Sequence, residues 1–278
     1  MNCKKGAILI TVFNRVNETI NCIKRIKECL LPEYFSFDIY ITDASSTDGT
    51  KDIINRMFPE IKVVTVSQNS YWNSGMILAW ENAKQNRDYD FYFLLNNDTY
   101  LNSNAFQIIL NDYYVSSTYS IIAGVTKELN NNNISYGGRN VINQSPLIPV
   151  GTPIPAKFIN GNFVLIPKCV IKKIGFLNPR FSHSLGDFDF GLRAIKFKIN
   201  VLITSQIIGS CDINSNSVFN IKGNLCDRYI YINSPKGIPF KEYFYFNFKH
   251  FGTTRALRFI IVFLFGMLFP KLYYKIVS

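Results

Sequence analysis

The stretch GAILITVF (6–13) is apolar for the length of a strand, with Thr11 as its single polar side chain. A run without polar alternation leaves no face for water, so it belongs in a parallel sheet covered on both sides. The segments that follow keep to that requirement. VNETINCIKRIKECLL (16–31) places Ile20, Ile23, Ile26 and Leu30 at helical spacing, with polar residues opposite. FDIYIT (37–42) reads as a second strand and DASSTDGT (43–50) as a turn, where Asp48 is placed to cap a helix starting near Thr50. IKVVTV (61–66) is a third strand and GMILAWENAKQN (75–86) a helix. FYFLL (91–95) is a fourth strand, ending at Asn96, Asn97 and Asp98. Strand and helix thus alternate in the order of an α/β, doubly wound, mostly parallel sheet flanked by helices.

The second half is less regular. ELNNNNISYGGRN (128–140) reads as an asparagine-rich hairpin connection, and KFINGNFVLIP (157–167) is strand-like around Gly161. GDFDFGLRAIKFK (186–198) looks like a turn entering a helix, and NVLITSQIIG (200–209) like a strand. No clean linker precedes residue 235, which divides the chain into a domain over 1–235 and a basic, apolar helical extension over 236–278.

Composition removes several classes. The six cysteines are scattered without a C-x-x-C pair, and there are only two histidines, so neither a disulfide framework nor a zinc constellation assembles. The opening MNCKKGAILITVF has too short an apolar stretch, and no small-residue cleavage site, to be a signal peptide. A cytoplasmic protein with reduced thiols is expected. The net charge is +11, and more than half of that surplus lies after Pro235, in Lys236, Lys241, Lys249, Arg255, Arg258, Lys271 and Lys275 against Glu242 alone. Such charge calls for an anionic partner.

Ligands of open α/β sheets bind beyond the carboxyl ends of the strands. Polar clusters fall at those ends: Thr11 to Arg15 after the first strand, Asp43 to Asp48 after the second, Asn96 to Asp98 after the fourth. Asp187 and Asp189 add an acidic pair from the second half. Turn formation and capping would explain any one cluster. Neither a GxGxxG fingerprint nor a P-loop is present, but Gly75 opens a helix whose amides could meet a phosphate. Trp80 is expected in the core, whereas Trp72, in the loop before Asn73, is a candidate to stack on a sugar or nucleotide.

In order and spacing, ILITVFNR, TDASSTDGT, NSGMILAW, YFLLNNDTYL, NGNFVLIPK, IGFLNPRF and GDFDFGLRA resemble the motifs of family 2 glycosyltransferases, enzymes of the GT-A fold. The resemblance covers roughly residues 6 to 205 and is nearest to the bacterial branch that includes rhamnosyl- and galactofuranosyl-transferases of surface polysaccharides. It implies an inverting enzyme that moves a sugar from a UDP- or dTDP-linked donor to a glycan or lipid-linked acceptor. Val12, Asn14, Asp43, Ser45, Asn73, Gly75 and Asn97 would then hold the nucleotide. Asp98 takes the position of the ligand to Mg²⁺ or Mn²⁺, with Asn97 where the family commonly has a second carboxylate. Asp187 keeps the position of the catalytic base, although Gly186 replaces the usual glutamate before it. Gly161, Asn162, His183, Asp189 and Trp72 would line the donor and acceptor sugars. Arg193 would pair with an acid or with phosphate.

The tail, ALRFIIVFLFGMLFPKLYYKIVS (256–278), has an apolar run shorter than the roughly 20 residues of a membrane span. With its flanking basic residues, Tyr273 and Tyr274 it suits an interfacial helix on the inner face of a membrane; packing against the domain is the alternative. Two other functions fit the broad pattern. A nucleotidyltransferase would need a glycine-rich basic loop after the first strand, which TVFNRVNE does not supply. The other is a non-catalytic sugar- or nucleic-acid-binding module using the basic tail, and nucleic acid would call for basic residues among exposed aromatics on the sheet domain. Here they sit beside an apolar helix, so no nucleic-acid partner is expected.

Overall fold

The computed structural model describes residues 3–116, 119–140, 145–213, 224–270 and 272–273. Lys271, Tyr274 and Lys275, part of the basic tail read from the sequence, lie outside the described residues. The first half runs β1 (Lys4–Val12), α1 (Val16–Glu28), β2 (Phe35–Asp43), α2 (Thr50–Met57), β3 (Lys62–Thr65), α3 (Trp72–Asn86), β4 (Phe91–Leu95), β5 (Tyr100–Leu101) and α4 (Ala105–Ser116). The middle holds β6 (Ser120–Lys127), β7 (Ile134–Tyr136), β8 (Gly138–Arg139), β9 (Ile154–Pro155), β10 (Phe158–Ile159), β11 (Phe163–Pro167) and α5 (Lys168–Ile174). It is followed by α6 (Gly186–Lys196), β12 (Asn200–Ser210), α7 (Leu225–Ile232), α8 (Phe240–Phe251) and α9 (Thr253–Leu268).

The main sheet has the order β3-β2-β1-β4-β11-β6-β12-β5. Strands β3, β2, β1 and β4 are parallel, as is the β6–β12 pair, while β11 runs antiparallel to both β4 and β6. Helices α1, α2 and α4 cover one face through Cys22, Ile23, Ile26, Ile54, Phe106 and Ile109. Helices α3, α5 and α6 cover the other through Met76, Ala79, Ala83, Val170, Phe190 and Ala194. Both faces of β1 are thereby buried, which is why GAILITVF carries no polar alternation.

Several boundaries differ from the sequence reading. Helix α1 ends at Glu28, and Leu30, counted in its apolar stripe, is 55% exposed beyond it. Helix α3 begins at Trp72 rather than at Gly75, so Trp72 sits in its first turn and not in a loop. The region around Gly161 is two short strands, β10 and β11, with Asn160 to Asn162 between them. Helices α4 and α5 and strand β6, unread in the sequence, complete the two layers.

The segment after residue 235 packs on the sheet domain. Phe246 of α8 sits among Phe158, Phe181, Leu185 and Leu192. Phe263 of α9 packs with Ile232 and the neighbouring Phe240 and Phe259. Among the described residues no helix is long and apolar enough to cross a membrane.

Candidate active site

The register of the sheet assembles the site. Pairing of β1 with β2 runs from Lys4–Phe35 to Val12–Asp43, so both strands end side by side. Beyond them the loops after β1 and β2 are stitched together. The Asn14 amide donates to Ser46 Oγ at 2.9 Å, and Asn14 Oδ1 accepts from the Thr47 amide at 2.7 Å. Asp43, almost fully buried, accepts from the Ser46 amide at 3.0 Å and from its hydroxyl. Ser45 Oγ donates to the Val66 carbonyl at 2.7 Å. Asp48 serves two helices: one oxygen accepts from the Val16 amide at 3.0 Å, the other from the Thr50 amide and hydroxyl.

These loops wall a cleft of about 1150 Å³. Val12, Trp72, Asn97, Asp98, Gly161, Asn162, His183 and Asp187 of the sequence-derived set line it. Asn14, Asp43, Ser45, Asn73, Gly75 and Asp189 do not, and each has a structural occupation. Asn14 and Ser45 take left-handed backbone angles, φ 50° and 58°, in the loops after β1 and β2. Leu185, at the entrance to α6, does the same at φ 68°. Among the described residues, three of the four non-glycine residues with positive φ thus stand in loops bordering one cleft, where such strain commonly gathers.

Gly75 donates its amide to the Tyr71 carbonyl inside α3, so it offers no free N–H to a phosphate. Its missing side chain has a different use: a Cβ there would stand 2.2 Å from Thr11 Oγ1. Asn73, fully buried, donates from Nδ2 to the carbonyls of Asn178 and Phe181 at 2.9 and 2.7 Å, pinning the loop that leads into α6. Gly161 also differs from expectation. A Cβ on it would lie 2.2 Å from the Trp72 ring, so the glycine admits the indole against the chain. Trp72 Nε1 in turn donates to Asn96 Oδ1 at 2.6 Å.

The motif after β4 is divided in function. Asn96 anchors Trp72, and Asn97 donates from Nδ2 to Thr19 Oγ1 of α1 at 3.0 Å. Asp98 carries the carboxylate. Its Oδ2 accepts from Arg15 Nη1 at 2.9 Å, and the Cys211 thiol points at Oδ1 from 3.7 Å. Among the described residues no group of three metal-ligating side chains gathers. One carboxylate facing the cleft still fits Mg²⁺ or Mn²⁺, since such ions take one or two protein carboxylates and complete their shell with phosphate oxygens and water. Arg15 would have to yield that oxygen.

Asp187 lines the same cleft from the first turn of α6. Its Oδ2 accepts from the Gly161 amide at 3.0 Å and its Oδ1 from the Phe188 amide at 2.8 Å. Burial pushes the Asp187 carboxyl up to about 6 despite those two bonds, which favour the ionised form. His183 accepts at Nδ1 from the Trp72 amide at 3.4 Å, which leaves its proton on Nε2. Burial, then the charge of Lys236, lowers its pKa and keeps the ring neutral. Asp189 turns away from the cleft. Fully buried, it accepts from Arg193 Nε at 2.8 Å, Lys249 Nζ at 2.6 Å and His250 Nε2 at 2.8 Å. Those donors outweigh burial and hold it well below the usual carboxylate range. Arg193 is committed to Asp189 and to the carbonyls of Ile174 and Phe176, so its role is structural.

Several lining residues were given no individual site role in the sequence: Phe13 and Arg15 after β1, Arg139, Leu185, Lys236 and Tyr243. Phe13 and Arg15 lie inside a motif quoted above, and their exposure was the missing signal. Lys236 and Tyr243 come from the segment assigned to the tail, where sequence distance hid them.

A family model described as glycosyl transferase family 2 matches residues 7–174, more than half of the chain. The chain belongs to glycosyl transferase family 2. It is a glycosyltransferase, and the rival readings as a nucleotidyltransferase or non-catalytic module fall away. No curated protein sequence matches it significantly. Solved structures show the GT-A fold. The S. aureus TarS fragment 1–349 in complex with UDP superposes with a TM-score of 0.58 at 13% identity, over 91% of this chain and 73% of that one. The mannosyltransferase PcManGT from Pyrobaculum calidifontis, in complex with GDP-Man and Mn²⁺, gives 0.56 at 10% identity, over 93% and 74%. TarS 1–349 with UDP-GlcNAc gives 0.55 at 12%, over 88% and 73%.

Proposed function

We propose that this glycosyltransferase moves a sugar, with inversion, from a UDP- or dTDP-linked donor to a hydroxyl of a lipid-linked glycan at the inner face of a bacterial membrane. The observation that carries the reading is Asp187: a carboxyl raised to about 6 by burial, fixed through Gly161, in a cleft that also holds Asp98. A carboxylate with such a pKa is ionised at neutral pH and still basic enough to take a hydroxyl proton. The acceptor oxygen then bonds to the anomeric carbon as the bond to the diphosphate breaks, and the acceptor proton passes to Asp187. The nucleoside diphosphate departs on the Asp98 and Arg15 side. Single displacement of this kind inverts the anomeric centre.

Phe13, 38% exposed on the wall after β1, offers a flat face for the base, and Val12 and Ala44 complete that end. A divalent cation held by Asp98 and the diphosphate would neutralise the leaving group. Arg15 supplies a permanent positive charge at the same place. Neutral His183, Tyr243 and Lys236 form the acceptor side.

Membrane contact is supported by α9. Leu257, Ile261, Leu264 and Leu268 form an exposed stripe at helical spacing, 55, 69, 45 and 48% accessible, beside exposed Arg255 and Arg258. Apolar insertion beside cations is the chemistry of an anionic interface.

The test is hydrolysis of a panel of nucleotide sugars by purified protein, read as nucleoside diphosphate release. One preferred UDP- or dTDP-sugar is expected, and a flat panel would refute the donor assignment. With that donor, Asp98→Ala should weaken UDP binding chiefly when Mn²⁺ is present; an equal loss without metal would make Asp98 structural.

A further inference from the structure

Helix α8 touches the base-bearing turn at several separate points, although it lies over fifty residues away in sequence. Glu242, in its first turn, accepts from the Ser182 amide at 3.1 Å and from the Ser182 hydroxyl at 2.7 Å. Ser182 precedes His183, and its segment is the one Asn73 pins from the other side through the Asn178 and Phe181 carbonyls. Tyr243 lines the cleft beside Ser184 and Asp187. Phe246 fills the space between Phe181, Leu185 and Leu192, with its ring centroid 6.2 Å from that of Phe181. At the far end of α8, Lys249 and His250 both reach Asp189, which sits one position beyond Phe188 in the first turn of α6. The Lys249 carbonyl accepts from Lys196 in the last turn of α6 at 3.1 Å.

The chemistry of these contacts exceeds what packing one helix on another requires. Asp189 is already paired with Arg193, its own i+4 neighbour. Bringing a partly exposed lysine and a buried histidine side chain to the same buried carboxylate has a desolvation cost, and it is recovered only if all partners keep their geometry. The His250 side chain is 1% exposed, with Nδ1 buried and unpartnered, so its ring has little freedom to serve elsewhere. Leu185 enters α6 at φ 68°, an angle leucine rarely takes, and it is held there by packing on Phe246.

We infer that α8 is a positioning strap for the general base: Glu242 through Ser182, and Lys249 with His250 through Asp189, fix the turn that presents Asp187 to the acceptor. None of these three residues touches substrate. They act through Ser182 and Asp189. The inference rests on the assignment of Asp187 as the base, so the experiment separates the two.

Glu242→Ala, Glu242→Gln, Lys249→Met and Asp187→Asn are compared in full-length protein. The readouts are kcat for transfer from the donor the panel selects, UDP affinity by calorimetry, and thermal stability. Glu242→Ala and Lys249→Met are expected to lower kcat at least tenfold with UDP affinity within twofold of wild type. Glu242→Gln, which can still bond both the Ser182 amide and hydroxyl, should restore kcat to within about threefold. If Lys249→Met fails to fold, Ser182→Ala, which removes only the hydroxyl contact, is expected to lower kcat with UDP affinity retained. Folded Glu242→Ala with wild-type kcat, or a loss shared equally by UDP affinity, overturns the strap. Turnover by Asp187→Asn would overturn the base assignment instead, whereas an inactive Asp187→Asn beside fully active strap variants leaves the base intact and removes only the strap.

Discussion

At the scale of the residue, the site trades stability for chemistry. Asp187 has a raised carboxyl in the folded protein, about 6 against about 3.9 in an unfolded chain. The folded state therefore holds this proton more tightly. Its contribution to stability is fully present below the unfolded value and is lost as pH rises through about 6. Asp187→Asn should consequently be more stable than wild type at pH 7.5, by at most about 3 kcal/mol, with the difference shrinking toward pH 4. Denaturant titrations at both pH values check this. In the wild type, kcat/KM should fall about tenfold for each pH unit below the base's pKa and level off above it.

Which residues would be chemical and which architectural was only partly legible. Asp98 and Asp187 stand on the cleft where their motifs put them. Gly161 was read as lining the sugars, and the group that stands against it is Trp72, eighty-nine positions away in sequence. Asp189 carries the same local signal as Asp187, two acids in one first turn. Helical phase sends one carboxylate to the cleft and the other into α8, and a sequence does not display what waits on either side.

At the scale of the element, turn chemistry and strand pattern carried the first half. Runs such as FYFLL are bounded by turn residues, so strand β4 reads correctly from 91 to 95. Asp48 was expected to cap one helix; it stands one residue before the N-cap, Gly49, and its carboxylate accepts from the first amides of two helices. Asp48→Ala should therefore cost more than an ordinary cap, about 2 kcal/mol, and chemical denaturation with UDP binding as a second probe will measure it. Helix α8 falls within the segment read as a helical extension, but its bounds and its packing were not legible. FKEYFYFNFKHF puts aromatic residues on every side, so it presents no polar face and no clear period. Its rings are divided between Phe181 and Leu185 on one side and α9 on the other. Only tertiary packing shows that division.

At the scale of the whole molecule, a GT-A sheet is joined to a pair of aromatic helices: α8 places Tyr243 on the cleft, and α9 turns an apolar stripe outward. The basic, apolar character of the last forty residues was evident from the sequence. That residues 231 to 243 would form part of the cleft was not, because a linker and a cleft wall have similar compositions. Ile261→Glu with Leu264→Glu changes only exposed positions of α9, so folding and UDP binding should persist. Flotation with vesicles containing anionic lipid should drop severalfold, and retained flotation would assign the stripe to another partner.

The central claim is that Asp187 takes the acceptor proton. The most direct measurement is single-turnover transfer by Asp187→Asn, with UDP affinity determined on the same preparation. Loss of about 10²- to 10⁴-fold in the transfer rate, with UDP affinity unchanged, is the predicted result. Transfer at near wild-type rate would contradict it.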